Sequence, residues 1–284
     1  MKTKHKIALV RIVHAPIVLV RRLFGLGQMP VVTRAGLRWR LDLNEGIDFS
    51  IYFLRCYEFT TARAIRRLVG SGSTVLDIGA NIGAHTLSFA QLVGPGGRVY
   101  AFEPTEFAYA KLMRNLDLNP EIAGRVTANQ MMLVDRPDSE PPKHLYASWP
   151  LETKERVHPK HLGRALATDH ATATTLDSYV ERENLQKVDF IKLDVDGYEC
   201  QVLRGARQTL ERFRPVILSE LAPYHLAEAG ESVEELVSIL ESSNYVLLNL
   251  AGKRFLSSDA DRLRSLVPEG TSKNVIAWPK ERPL

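Results

Sequence analysis

Short apolar runs bounded by glycine, proline and aspartate recur through the chain, separated by longer stretches in which apolar residues return every three or four positions. The first pattern predicts buried strands and the second predicts amphipathic helices. Residues 31–43, VVTRAGLRWRLDL, predict a small hairpin. Residues 48–69 predict helix, with Ile65, Leu68 and Val69 on one side. A strand over 74–77, a helix over about 84–93, the turn GPGG at 94–97, the strand RVYAFEP and the helix EFAYAKLMRNLDLN come next. Strands are predicted at RVTANQMMLV, VDFIKLDV, PVILSEL, YVLLNL and NVIAWP, with helices at YECQVLRGARQTLERF and SVEELVSILESSN between them. Such alternation implies a parallel sheet covered by helices on both faces, a doubly wound α/β fold.

Two stretches depart from this rhythm. Ile7 to Val20 is apolar except for Arg11, His14 and Pro16, and lies between Lys2, Lys4, Lys6 and Arg21, Arg22. The run is shorter than the roughly 20 residues a spanning helix needs, and no small-residue cleavage site follows. It is expected to pack on the domain as a helix. Arg11, His14, Arg21 and Arg22 fall on one broad helical face interrupted by Val18, so peripheral contact of residues 1–26 with an anionic membrane is the other use open to it. Residues 1–40 then form a leader and hairpin, and 41–284 the main domain.

The second departure runs from 136 to 170, with five prolines, His144, His158, His161 and His170, and little periodicity. It reads as an insertion on the substrate side. The histidine spacing matches no metal-ligand pattern, and no metal site is expected.

Composition narrows the class. A chain of 284 residues with 45% hydrophobic and 25% charged residues can bury a full core. Cys56 and Cys200 are too few for a disulfide framework, which fits a reducing, cytoplasmic setting, with the inner face of a membrane as a peripheral option. The net charge of +4 is mild and unclustered, so no nucleic-acid partner is expected.

The chemistry concentrates in three places. VLDIGANIGAHTL joins a strand to a helix through a turn spaced by Gly79 and Gly83, which brings backbone close to a ligand. A dinucleotide fingerprint would carry G-x-G-x-x-G, and here Asp77 at the strand end would repel a pyrophosphate and attract an ammonium or sulfonium. The charge favours S-adenosylmethionine. Glu103 ends the next strand, where a carboxylate can accept ribose hydroxyls. Finally, VDFIKLDVDGYECQVLRGA places Lys192, Asp194 and Asp196 at the carboxyl end of a buried strand, on one side by alternation. There a lysine can hold a carboxylate ionised and a carboxylate can take a proton from a hydroxyl. Asp196 can equally cap the following helix, with Glu199 completing a capping box.

These motifs in this order, with LDLNEGIDFSIYFLRCYE before them, TTLDSYV before the last and RPVILSEL after it, resemble the FkbM-type S-adenosylmethionine-dependent methyltransferases over roughly residues 41–221. The resemblance implies a class I methyltransferase fold, Rossmann-like and mostly parallel with an antiparallel last strand, for which NVIAWP is the candidate. It implies methyl transfer to a hydroxyl oxygen, on a sugar, glycolipid or related natural-product scaffold. By position, Asp77, Gly79, Ala80, Asn81 and Gly83 would surround the methionine part of the cofactor, Glu103 the ribose and Glu58 the amino group. Lys192, Asp194 and Glu220 would lie at the reaction end, with Asp194 as general base. The chain has DVDG where many relatives carry DVEG, which leaves the part played by Asp196 open. A magnesium-like ion on Asp194, Asp196 and Glu220, an NAD-dependent oxidoreductase, and a non-catalytic membrane-associated scaffold are the alternatives.

Overall fold

The computed structural model describes residues 3–139, 141–147, 149–152, 157–158, 163–253, 265–267 and 271–283, with side chains from residue 10 onward. In chain order the elements are α1 (Thr3–Leu23), β1 (Val31–Arg34), β2 (Leu37–Arg40), α2 (Gly46–Leu54), α3 (Phe59–Leu68), β3 (Thr74–Ile78), α4 (Thr86–Leu92), β4 (Arg98–Phe102), α5 (Glu106–Asp117), α6 (Pro120–Ala123), β5 (Val126–Asn129) and β6 (Met131–Leu133). They continue with β7 (His144–Ala147), β8 (Arg164–Ala167), β9 (Thr172–Thr174), α7 (Leu176–Arg182), β10 (Phe190–Leu193), α8 (Glu199–Arg204), α9 (Arg207–Phe213), β11 (Val216–Leu221), α10 (Pro223–Glu228), α11 (Val233–Ser242), β12 (Tyr245–Asn249) and β13 (Lys273–Pro279).

Seven strands form the central sheet in the order β12-β13-β11-β10-β3-β4-β5. Pairings from β11 through β10, β3 and β4 to β5 are parallel, and β13 runs antiparallel between β11 and β12. This is the class I methyltransferase arrangement, with the expected reversal at the chain's last strand. The strand order turns back between β3 and β10, and an open α/β sheet binds ligands at such a switch point, beyond the carboxyl ends of its strands.

Alternation along β3 and β10 assigns the two faces. Val75 and Phe190 join the core cluster that includes α2 to α5 and the β1–β2 hairpin, while Leu76, Ile78, Ile191 and Leu193 join the one under α7, α8, α9 and α11. Both faces are therefore buried, as crossover helices require.

Several expected elements are divided. The helix predicted over 48–69 breaks into α2 and α3 because Arg55 (φ 66°) and Glu58 (φ 46°) adopt the left-handed conformation that ends a helical run. The strand predicted over 125–134 splits into β5 and β6, and β6 leaves the main sheet to pair with β9. The helix predicted over 198–213 divides at Gly205, where an added Cβ would sit 2.1 Å from the Val134 carbonyl oxygen. The segment 136–170 contains an antiparallel hairpin, β7–β8. Arg164 ties it to Glu45 at 3.0 Å.

Candidate active site

The turn after β3 is built by backbone. The Gly79 and Ala80 amides both donate to the Phe102 carbonyl, at 3.0 and 2.9 Å, and the Asp194 amide donates to Ile78 at 3.1 Å. Gly79 has φ +81°, and a Cβ there would lie 1.8 Å from the Asp194 carbonyl oxygen, so only glycine lets the turn meet the end of β10. Gly83 serves differently from the expectation. A Cβ on it would strike Leu112 and Leu87 at 2.7 and 2.8 Å, so it seats α4 against α5 and does not line the cleft.

A cleft of about 910 Å³, its open mouth included, lies over this turn. Gly79, Ala80, Asn81, Glu103, Lys192 and Asp194 line it, with Ile78, Phe102, Met131 and Leu133 as apolar walls. Leu145, Ala147 and Trp149, from the hairpin segment, form its far side. Glu103, at the end of β4, accepts from the Asn81 amide at 2.9 Å and from the Thr105 amide and hydroxyl at 2.9 and 2.6 Å. Burial pushes its carboxyl up while these donors hold it down, and the net shift is upward.

Asp77 lies beneath the turn and not in the cleft lining. It is fully buried, accepts from the Thr86 hydroxyl at 2.6 Å, and stands 3.9 Å from the Lys192 ammonium, its register partner across β3 and β10. Lys192 donates to the Gly79 carbonyl at 3.0 Å and reaches Asp194 Oδ2 at 3.0 Å. Burial favours the neutral amine, but Asp194 and Asp77 outweigh it and move the Lys192 pKa upward. One ammonium thus binds the glycine turn, the buried carboxylate and the carboxylate of the cleft.

A second lobe opens beyond Asp194. Tyr57, Ile47, Trp149 and Asp194 line both lobes, while Glu58, Glu220, Tyr224 and His225 line only the second. Glu58 therefore lines the second lobe and not the one over the glycine turn. It accepts from Asn274 at 3.0 Å and lies 3.8 Å from His85 Nε2. Burial would raise its carboxyl, but His85, Lys192 and the Thr61 hydroxyl together hold it at about 2. Burial, then the neighbouring Asp194, push the carboxyls of Asp196 and Glu220 well above the ordinary range. Asp194 thus stands where the lobes meet, with Asp196 lining the first and Glu58 and Glu220 the second.

Strand alternation does not extend to Asp196. β10 ends at Leu193, and Asp196 takes φ 50° to approach His225 Nδ1 at 3.3 Å. Its side chain does not cap α8; Glu199 instead accepts from the Val195 and Gly197 amides at 3.0 and 3.4 Å. Donor atoms of Asp196, Glu220 and His225 lie within 4.8 Å of one another, a set in which His225 replaces the expected Asp194. Among the described residues the loop histidines form no cluster of metal-ligand groups. His158 faces Glu228 at 3.7 Å, His170 faces Glu106 at 2.8 Å, and His161 lies outside the described residues.

Sequence reading passed over Tyr57, His85, Trp149 and His225. His85 had a signal, since it follows the glycine turn directly in GAHTL. Tyr57 and Trp149 are aromatics in connecting segments, and nothing local says that both face one cleft.

The sequence profile of the methyltransferase FkbM domain matches residues 77–247, more than half of the chain. The chain belongs to the FkbM methyltransferase family. Among curated relatives of this FkbM-family protein, Methyltransferase 1 of Beauveria bassiana is 27% identical over 57% of this chain and 66% of its own length. The 2-O-methyltransferase NoeI of Sinorhizobium fredii is 27% identical over 61% of this chain and 72% of its own. The match therefore spans just under two thirds of the first of these relatives. The crystal structure of an FkbM methyltransferase from Methylobacillus flagellatus is 18% identical, with a TM-score of 0.46, over 73% of this chain and 44% of that one.

Proposed function

We propose that this FkbM-family protein transfers the methyl group of S-adenosylmethionine to a hydroxyl oxygen on a sugar, glycolipid or related scaffold. The observation that carries the reading is the meeting of two lobes at Asp194. The first lobe fits a nucleoside with a cationic tail: apolar walls for the base, Glu103 for the ribose hydroxyls, and acidic groups instead of phosphate-binding donors at the far end. When bound, the cofactor supplies an already activated methyl group. The protein is left to align an oxygen and to exclude water.

Asp194 is the residue that both ligands reach. Lys192 holds its Oδ2 at 3.0 Å, which leaves the other carboxylate oxygen to take the proton of an acceptor hydroxyl as the carbon–oxygen bond forms. Asp77 acts from beneath, through Lys192 and Thr86, without touching the cofactor. The segment 136–170, which gives Trp149 and Leu151 to the second lobe, is the part that selects the acceptor.

Asp194→Asn tests the base. Turnover is expected to fall by about 10²-fold or more, with S-adenosylhomocysteine affinity kept within a few-fold. Wild-type turnover at saturating acceptor would remove Asp194 from the chemistry. An NAD-dependent oxidoreductase would instead show nicotinamide binding in the same titration.

A further inference from the structure

Helix α1 packs on the domain through Val10, Val13, Ile17, Val18 and His14, with Arg11 and Arg21 beside them. Arg11 donates to the Pro150 carbonyl at 3.4 Å, and Arg21 donates to Gly27 at 2.6 Å and reaches the Tyr52 hydroxyl at 3.4 Å. His14 is buried edge-on against Phe49, with ring centroids 5.1 Å apart. A second apolar stripe is left on the outside. Ile12, Leu19 and Leu23, spaced to form one stripe, are 71%, 58% and 75% exposed, and Phe24 after them is 76% exposed. Val20, Leu26 and Met29 extend the patch.

Charge says what covers this face. The first 41 residues contain three lysines and six arginines and no carboxylate. A second copy seated on the same face in a twofold dimer would set that positive segment against itself. No described helix is long and apolar enough to cross a membrane. A helix with an outward apolar stripe flanked by an exposed basic side chain, here Arg22, lies in the plane of an anionic bilayer surface, its stripe among the acyl chains and the cation among the headgroups.

We propose that the outward face of α1, continued by Phe24 and Leu26, is a seat for an anionic lipid bilayer. The second lobe opens beside it: Val10 of α1 and the exposed Leu54 and Phe59 belong to the lobe's lining. A hydroxyl carried by an amphiphile in the bilayer then has a short route to Asp194. The seat itself stands on the surface of the chain and not on the methyl-transfer reading.

Co-sedimentation of the full chain with phosphatidylcholine vesicles, and with vesicles that also contain phosphatidylglycerol, tests the seat. Binding is expected on the anionic vesicles, weakened by added salt, and roughly ten-fold or more lower for Leu19→Ser combined with Leu23→Ser. Both residues are exposed, so the variant is expected to keep the wild-type circular dichroism and S-adenosylhomocysteine affinity. Vesicle binding unchanged in that folded variant overturns the proposal, as does equal binding to neutral and anionic vesicles. Failure to bind either, with a dimer that the variant splits, overturns it in favour of a second copy. Loss of S-adenosylhomocysteine binding in the wild type, with vesicle binding intact, refutes the methyl-transfer reading alone.

Discussion

Replacing Lys192 with methionine preserves most of the side chain's length and removes its charge. Three groups lose a partner: the Gly79 carbonyl at 3.0 Å, Asp194 at 3.0 Å and Asp77 at 3.9 Å. Asp194 is partly exposed and can rehydrate. Asp77 cannot, since it is fully buried and keeps only the Thr86 hydroxyl. Breaking a buried ion pair from one side costs about 3–5 kcal/mol, and the 3.9 Å separation places this case near the lower end. A loss of about 3 kcal/mol lowers Tm by roughly 6–12 °C in a chain of this size. Adding Asp77→Asn to Lys192→Met removes the stranded charge and is expected to recover most of that loss. Chemical denaturation of the four members of the cycle measures the coupling. If Lys192→Met costs less than about 1 kcal/mol, or if Asp77→Asn brings no recovery, the ammonium does not hold the turn together as described.

Further outcomes follow from the same geometry. Gly79→Ala forces a left-handed alanine, at about 1–2 kcal/mol, and drives its Cβ into the Asp194 carbonyl; S-adenosylhomocysteine affinity should fall at least ~10-fold by calorimetry. Unchanged affinity would mean that the turn is not in contact with the cofactor. Glu58, held at about 2 against an ordinary 4.5, contributes stability that is fully present above about pH 4.5 and is lost as pH falls toward 2. Glu58→Gln should therefore flatten the acid limb of a stability–pH profile over that window, and a limb as steep as wild type would contradict the assignment. Treatment with a strong chelator is expected to leave turnover unchanged because Lys192 already supplies the cation at Asp194; activity lost and restored by added Mg²⁺ would shift the chemistry to Asp196, Glu220 and His225.

The fold was legible because its information is local. Runs such as VLDI and FIKL are too apolar and too short for anything but buried strands, and the glycine at position 79 is demanded by a positive φ that the strand-to-helix turn imposes. The FkbM motifs mark the ends of β3, β4, β10 and β11, which the parallel sheet aligns at one edge, so most candidate residues could be named from order alone. What each residue does there was less accessible. Asp77 sits in the motif yet is buried beneath the turn, and Gly83 makes room for α4 to pack against α5; neither lines the cleft. Asp196 left the predicted face because β10 ended three residues earlier.

The amino-acid sequence by itself determined the α/β alternation, the glycine turn and the carboxylates at strand ends, since these depend on periodicity and backbone conformation within a few residues. Only the tertiary structure decided that one ammonium serves Gly79, Asp77 and Asp194, and that Tyr57 and Trp149 join two lobes. It also decided that α1 packs His14 and Val18 inward and leaves Ile12, Leu19 and Leu23 out. Each of these depends on which elements meet across the fold, and contacts between residues distant in the chain leave no periodic trace in the sequence.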